Sequence, residues 1–292
     1  MLENDAAILQ HFIEVWEKEI PDYISRLKDQ IISRKILPMR KVGEDVMIDV
    51  VQRYDRTGAG AEIMAKGAVP PGSGVDATDV PHMIYQIIDG FQIHEKDMKL
   101  DPKLKSRNVE IILGNIHRKE NALAVLGSPQ HNIPGITTLI PGANQLKTLG
   151  IWDGSGSAIQ MYKDIRRMKT AMDTDFRPKF LMGYHETLAP LWDLSADTKV
   201  PYYTQIAPLF GQRPDADPFS WMIEVDDDVL PAGKVYMMPL DPMAAEFIVS
   251  ENPSMRAISQ QRGGNYPIEM FEWVTVEIHE PTAFVELDTT TE

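Results

Sequence analysis

The chain has 292 residues, of which 43% are hydrophobic and 25% charged, a composition typical of globular proteins that excludes wholesale disorder and fibrous sequences. It contains no cysteine, which excludes disulfides, thiol catalysis and cysteine-ligated zinc or iron–sulfur sites. The net charge of −14 disfavours general nucleic-acid binding, because neutralising phosphates requires clustered lysine and arginine. No membrane span is expected, since no run of about 18 apolar residues is present, and the start of the chain does not resemble a secretory signal.

The charge is unevenly distributed along the sequence. Residues 222–292 hold 14 of the 43 acidic residues and only 3 of the 29 basic ones. Upstream there are local basic clusters, for which solvated helix faces are the favoured interpretation. The alternative is one weakly phosphate-facing surface on an otherwise acidic protein. The clusters are Arg34, Lys35, Arg40 and Lys41; Arg118 and Lys119; and Lys163, Arg166, Arg167 and Lys169.

Residues 5–36 are predicted to form two amphipathic helices. Apolar side chains recur every four positions from Ile8 to Ile20, and Asp5 can cap this first helix. Pro21 ends it and suits the first turn of the next helix, whose apolar stripe ends at Ile31. Such a stripe at the start of a chain needs a partner surface, in the same chain or in a neighbouring copy.

Residues 42–100 are predicted to form a projecting β-hairpin. Val46, Ile48 and Val50 alternate as in a strand, and a second strand-like run covers residues 83–93. Between them, residues 57–79 are rich in glycine and proline and poor in large apolar groups, which indicates an extended tip. A hairpin with so little core of its own is marginal in isolation, so it is expected to lie on something else.

The strongest predicted helix covers residues 101–127. Asp101 is a plausible N-cap, Pro102 suits the first helical position, and Gly127 is a plausible terminator. Gly114, inside the helix, indicates close packing at that point. The predicted apolar face consists of Val109, Ile112, Leu113, Ile116 and Leu123.

The rest of the chain alternates between helices and strands. Residues 156–173 are predicted to be helical with a methionine-rich stripe, and residues 185–194 to form a short helix. Strands are predicted at 179–183, 222–225, 234–238, 247–249 and 271–279, the last with Phe271 and Trp273 alternating against Glu272, and Phe284, Val285 and Leu287 close the chain.

The sequence motifs that could support catalysis or ligand binding are weak. Gly154-Ser155-Gly156 precedes a helix but lacks a phosphate-loop lysine, so a loop with a helix cap is favoured. Asp226-Asp227-Asp228 lacks the alternate spacing of a calcium loop, so a solvated turn is favoured.

Two histidines stand near carboxylates at helical ligand spacing: His94 with Asp97, and His117 with Glu120. No second such pair lies nearby, so a metal site is disfavoured. Glu120 falls on the apolar face of the long helix, where a buried, paired carboxylate or an interface salt bridge explains it as well as catalysis does. The sequence therefore names no catalytic, cofactor-binding or metal-ligating residues, and the expectation is that the protein is not an enzyme and needs no cofactor.

The order of elements resembles the major capsid proteins of tailed bacteriophages and head-tailed archaeal viruses, which share the Hong Kong 97 fold with encapsulin shells. The motifs that carry the resemblance are residues 34–38, residues 121–127 leading into 133–136, residues 180–182 before a short helix, and residues 281–284. The resemblance implies an α+β fold in five segments: an N-terminal arm (1–41), an extended β-hairpin loop (42–100), the spine helix of a peripheral domain (101–135), a mixed α/β axial domain (136–260) and C-terminal strands that return to the peripheral domain (261–292).

The same resemblance implies a structural major capsid protein that self-assembles into an icosahedral viral head enclosing double-stranded DNA. Its partners would be its own copies, in pentamers and hexamers, with a portal and decoration or scaffolding proteins. Contact with the packaged DNA would be weak and non-specific, no membrane would be involved, and the virion would assemble in the host cytoplasm. The alternative is an encapsulin-like compartment holding protein cargo; an α/β enzyme using His185, Glu186 or the Asp226–Asp228 run ranks below both.

Overall fold

The computed structural model describes residue 22 and residues 31–43, 46–58, 73–94, 102–150, 152, 157–194, 199–226, 229–257 and 265–290. Most of the predicted helices at 5–36 and the tip of the predicted hairpin at 59–72 lie outside these residues. The helices are α1 (Ser33–Ile36), α2 (Pro102–Leu126), α3 (Ser157–Ala171), α4 (His185–Leu188) and α5 (Tyr202–Ile206). The strands are β1 (Met39–Lys41), β2 (Ile48–Gly58), β3 (Ser73–Met83), β4 (Tyr85–His94), β5 (Gln145–Lys147), β6 (Phe180–Tyr184), β7 (Met222–Val225), β8 (Lys234–Met238), β9 (Ala245–Ala257), β10 (Asn265–Ile278) and β11 (Val285–Asp288).

The long helix α2 covers the first sheet, whose strand order is β1-β9-β10-β4. β1 runs parallel to β9, and the other two pairings are antiparallel. The predicted apolar face of α2 is buried, and its first half packs on Ile93 of β4 and on Ile268 and Met270 of β10. Burial of this face stabilises the 25-residue helix, and Glu120, Ala124 and Val125 in its second half are buried as well.

Both ends of α2 match the signals in the sequence. The helix begins at Pro102 and ends at Leu126, and Gly127 follows with φ +70°, a left-handed conformation that favours glycine. A Cβ at Gly127 would lie 2.4 Å from the backbone nitrogen of Gly135, so the chain after the helix also needs glycine for close approach. The expectation for Gly114 is wrong: no atom lies within 4 Å of a Cβ built there, so this glycine is not required by packing.

The hairpin exists, but its return strand differs from the prediction. β2 pairs antiparallel with β3 from Ile48 opposite Met83 to Gly58 opposite Ser73, and the two form a separate two-stranded sheet. The predicted return strand at 83–93 is instead mostly β4, which joins the first sheet beside β10. The physical reason is that the apolar run in β4 gains stability by packing in the first sheet, where its side chains can be buried. Pairing with β2 needs only backbone hydrogen bonds, which β3 can supply without an apolar pattern.

A second sheet has the strand order β5-β11-β8-β6-β7 and packs against α3. The predicted α3 stripe of Met161, Ile165, Met168 and Met172 is buried there. Residues 185–194 form only the single turn α4 and then a 3-10 turn, because Pro190 cannot continue an α-helix. The chain end, β11, lies between β5 and β8 in this sheet, while β9 and β10 lie in the first sheet. The five-segment division from the sequence stays a prediction.

A central core lies between the two sheets. Strand β10 contributes to it, but the side chains that β10 buries are not all the predicted ones. Phe271 and Trp273 are only partly buried, whereas Glu272 and Glu277 are fully buried. Irregular pairing with β9 between Phe271 and Val274 accompanies this arrangement. The alternation predicted for this strand is present, but two of its acidic side chains point inward, so each needs a cationic partner.

Candidate functional site: two buried ionic clusters

The last residues of the predicted N-terminal helices are fixed to the core. Ile36 and Leu37 are at most 2% exposed and join the central core. The same turn packs on the second half of α2, which brings the polar side chains of Ser33 and Arg34 onto that helix. Residues 33–37 are therefore fixed to the rest of the fold.

Ser33, Arg34, His117, Glu120, Asn121 and Glu272 form what we call the arm cluster. Arg34 Nε donates to Glu120 Oε1 at 2.8 Å, and Arg34 Nη2 also contacts Glu272 Oε1. Ser33 Oγ donates to Glu120 Oε1 at 2.9 Å, and the backbone nitrogen of Ser33 donates to Asn121 Oδ1 at 3.0 Å. The cluster thus joins the arm, α2 and β10 through one guanidinium.

The pKa values of the two carboxyls, Glu120 and Glu272, are shifted in opposite directions by their surroundings. Burial acts to raise the pKa of Glu120, but a hydrogen bond with His117 and the charge of Arg34 outweigh it and hold the pKa below its ordinary value. Burial raises the pKa of Glu272 to about 8, the negative charge of Glu120 adds to this, and Arg34 offsets only part of it. The pair therefore holds one negative charge and one proton at neutral pH, balanced by Arg34.

His117, Glu120 and Glu272 also have the chemistry of metal ligands, since their candidate ligand atoms lie within 4.8 Å of one another. Arg34 already contacts both carboxylates and supplies the positive charge that a cation would bring. The arrangement agrees with the buried, paired carboxylate that the sequence suggested for Glu120. Its ion pairs and hydrogen bonds hold three segments of the chain together.

A second cluster lies where the hairpin leaves the body, and we call it the hairpin-root cluster: Arg40, Asp49, His82, Glu246, Glu277 and His279. Arg40 contacts Asp49 of β2 and donates from Nε to Glu246 of β9 at 2.7 Å. Burial acts to lower the pKa of Arg40, but the hydrogen bond and charge of Asp49 and those of Glu246 leave it above its ordinary value.

The fully buried Glu277 ties the return strand to the same place. His82 Nε2 of β3 lies 3.1 Å from Glu277 Oε1, and Arg40 Nη2 lies 3.6 Å from Glu277 Oε2. His279 lies 3.6 Å from both Glu277 and Glu246. Strands β1, β2, β3, β9 and β10 therefore meet at one ionic cluster, which sets the direction in which the hairpin leaves the first sheet.

The other sequence candidates do not converge on a site. Gly154–Gly156, Asp97 and Asp227–Asp228 lie outside the described part of the chain. Asp226 is exposed, and its backbone oxygen accepts from Val229 and Leu230, as in a turn. His185 and Glu186 are exposed on α4.

Sequence reasoning found Glu120 but missed most of its partners. The sequence pattern predicts that Arg34 belongs to a basic cluster on a helix surface and that Glu272 lies on the polar side of its strand. The available signal was a carboxylate on the apolar face of a strong helix, which requires a buried cation somewhere. Nothing local indicates that the cation comes from a residue 86 positions away.

Among the described residues, no helix is long and apolar enough to cross a membrane. No protein-family model matches the sequence, and no curated protein matches it. Similar solved structures do exist. The chain resembles a virus-like particle from Pyrococcus furiosus at 14% identity, covering 91% of this chain and 97% of that one with a TM-score of 0.61.

Two further structures extend the comparison. The capsid of Myoviridae phage XM1 matches at 13% identity, over 87% of this chain and 90% of that one, with a TM-score of 0.63. The holo-SrpI encapsulin complex from Synechococcus elongatus matches at 11% identity, over 86% and 85%, with a TM-score of 0.56. Identities this low establish the fold alone. The chain therefore has the α+β fold of Hong Kong 97-like capsid proteins, as its order of elements predicts.

Proposed function

We propose that this chain is a structural shell subunit, a major capsid protein whose copies form an icosahedral viral head around double-stranded DNA. The observation that carries the proposal is the match over 87% of this chain to a phage capsid. A match of that extent means that the capsid fold accounts for most of the chain. The copies would form pentamers and hexamers, and no catalytic role or cofactor is proposed.

The hairpin supports this proposal physically. Among the residues that the structure describes, β2 and β3 pair only with each other, over 11 residues each, and a two-stranded ladder is marginal in water. At its root Met47, Ile48 and Met83 are each more than half exposed, and Ile48 and Met83 are direct cross-strand partners. Adjacent exposed apolar side chains of this kind mark an interface, so the hairpin is expected to lie on a neighbouring copy.

The wider assignments belong to the same proposal. The five segments keep the bounds predicted from the sequence, from the arm (1–41) to the C-terminal strands (261–292). A portal and decoration or scaffolding proteins would complete the particle, which would assemble in the host cytoplasm and end as the virion. The chain would bind packaged DNA only weakly, because its net charge of −14 opposes binding to phosphate.

Imaging of the purified protein tests the proposal. Negative-stain electron microscopy and light scattering of the expressed chain are expected to show closed particles or rings. A species of about 33 kDa that stays monomeric under every salt and pH condition would overturn it.

An encapsulin-like compartment is the second candidate, favoured by the match to the encapsulin complex. The contents distinguish the two. Particles that protect nucleic acid from nuclease, when purified from cells that carry the packaging machinery, support the viral head. Particles that hold a defined protein cargo instead support the compartment.

Shortening the hairpin should abolish assembly without unfolding the subunit. Because Gln52 pairs with Asp79, residues 53–78 can be replaced by Asn-Gly while the root of the ladder is kept. The variant is expected to keep its melting temperature within about 3 °C, since the removed strands pair only with each other. Its sedimentation profile should lack particles. Normal particle yield from this variant would show that the hairpin is not an element between subunits.

A further inference from the structure

A groove with basic walls lies along the outer face of α3. It lies between that helix and the segment 146–149, and its volume is about 490 Å³. Three of its lining side chains are basic, none is acidic, and the rest are mainly apolar. The lining residues are Leu146, Leu149, Lys163, Arg166, Arg167, Thr170 and Ala171.

One buried carboxylate holds the groove in shape. Asp164 is fully buried and accepts hydrogen bonds from Thr148 Oγ1 at 2.7 Å and from Trp152 Nε1 at 3.1 Å. It also accepts from Arg167 Nη1 at 3.1 Å, and Arg167 donates in addition to the backbone oxygen of Lys147. Thr148 and Trp152 are therefore fixed against the helix, and Arg167 is held at the edge of the groove.

The other two cations are uncommitted. Lys163 and Arg166 are exposed, and within the described part of the chain their side chains make no ion pair or hydrogen bond. Positions 163, 166, 167 and 170 share one helix face, where neighbours lie roughly 5–6 Å apart. Beyond Thr170 a second cavity of about 540 Å³ adds Lys169 and Arg177 to the row, with Asp173 as an acidic lining residue.

We propose that this α3 groove binds the phosphodiester backbone of double-stranded DNA. The inference rests on the proposed function, in which DNA is the content of the shell, and it assigns the contact to one surface. Three cations and no acidic residue line the α3 groove itself, so it complements phosphate, whereas the chain as a whole has a net charge of −14. Two or three phosphate contacts give weak, sequence-independent and strongly salt-dependent binding, which suits DNA that must be packed and released.

The test measures how binding depends on salt. A fluorescent 30-base-pair DNA duplex is titrated with the protein at several salt concentrations, and log K is plotted against log salt. Each phosphate contact contributes about 0.9 to the slope. The double variant Lys163→Ala/Arg166→Ala is expected to lower the slope by about 2, whereas the matched control Arg118→Ala/Lys119→Ala, on the exposed face of α2, should leave it unchanged.

Each remaining outcome decides the question. Equal slopes for the two double variants and the parent chain would overturn the assignment. The assignment would also be overturned if a glutamate-rich peptide bound the parent chain more tightly than the duplex and if the Lys163→Ala/Arg166→Ala variant no longer bound that peptide. The groove would then be a peptide-binding site. Particle formation is scored separately by microscopy, and a chain that forms no particles but keeps the slope difference would fail the shell proposal alone.

Discussion

Replacing Arg34 with methionine is expected to lower the free energy of unfolding by roughly 3–5 kcal/mol. Methionine keeps the volume of the stem but leaves Glu120, which is fully buried, without its guanidinium partner. Removing one member of a buried ion pair is costly because the other charge stays in a low-dielectric site. Urea unfolding at pH 7, followed by tryptophan fluorescence, measures the change in the hairpin-shortened chain, which is expected to remain unassembled.

The matched control is Arg256→Met. Arg256 pairs with Glu269 at 2.8 Å on the same sheet, but its side chain is 52% exposed. Solvent screens such a pair, so the expected loss is at most about 1 kcal/mol. If the two variants lose equal stability, the arm cluster is not a buried ionic anchor.

A second substitution separates lost charge from lost packing. Adding Glu120→Gln to the Arg34→Met variant removes the carboxylate that was left unpaired, and it is expected to recover part of the lost stability. A double variant less stable than Arg34→Met alone would place the effect in packing. Because α1 lies within the predicted arm (1–41), the Arg34→Met variant is also expected to form fewer particles.

The sequence predicted those elements whose signals are local. α2 and α3 follow from apolar stripes, and α2 also follows from Pro102 and Gly127, because helix ends and helix faces are encoded within a few residues. β3 could not be predicted. Its residues, from Ser73 to Met83, have no clear apolar alternation, and what the structure shows for this strand is its backbone pairing with β2.

The two ionic clusters of the candidate site could likewise be predicted only where the signal is local. Glu120 was recognisable because a carboxylate on an apolar helix face is locally inconsistent. Its partners Arg34 and Glu272 come from opposite ends of the chain, and only the fold brings them together. The hairpin-root cluster draws on five strands in the same way, so periodicity in one segment carries no information about it.

Glu272→Gln is expected to stabilise the subunit in alkaline solution. The pKa of Glu272 is raised to about 8 by burial and by Glu120, so the folded state holds a proton that the unfolded chain releases near pH 4.5. The wild-type chain therefore loses stability as pH rises from about 4.5 to 8, because folding must retain that proton or bury a second charge. In addition, Glu272 Oε2 has no hydrogen-bond donor among the residues that the structure describes.

Glutamine imitates the protonated carboxyl at every pH. The variant should match the wild type within about 1 kcal/mol at pH 4 and exceed it by up to about 5 kcal/mol at pH 9, the limit set by the shift in pKa. Urea unfolding at intervals of one pH unit follows the growth of this difference. The control Glu269→Gln, on the same strand, should differ from the wild type by about 1 kcal/mol or less. A stability difference for Glu272→Gln that does not grow with pH would mean that Glu272 is ionised throughout, and that Arg34 balances both carboxylates alone.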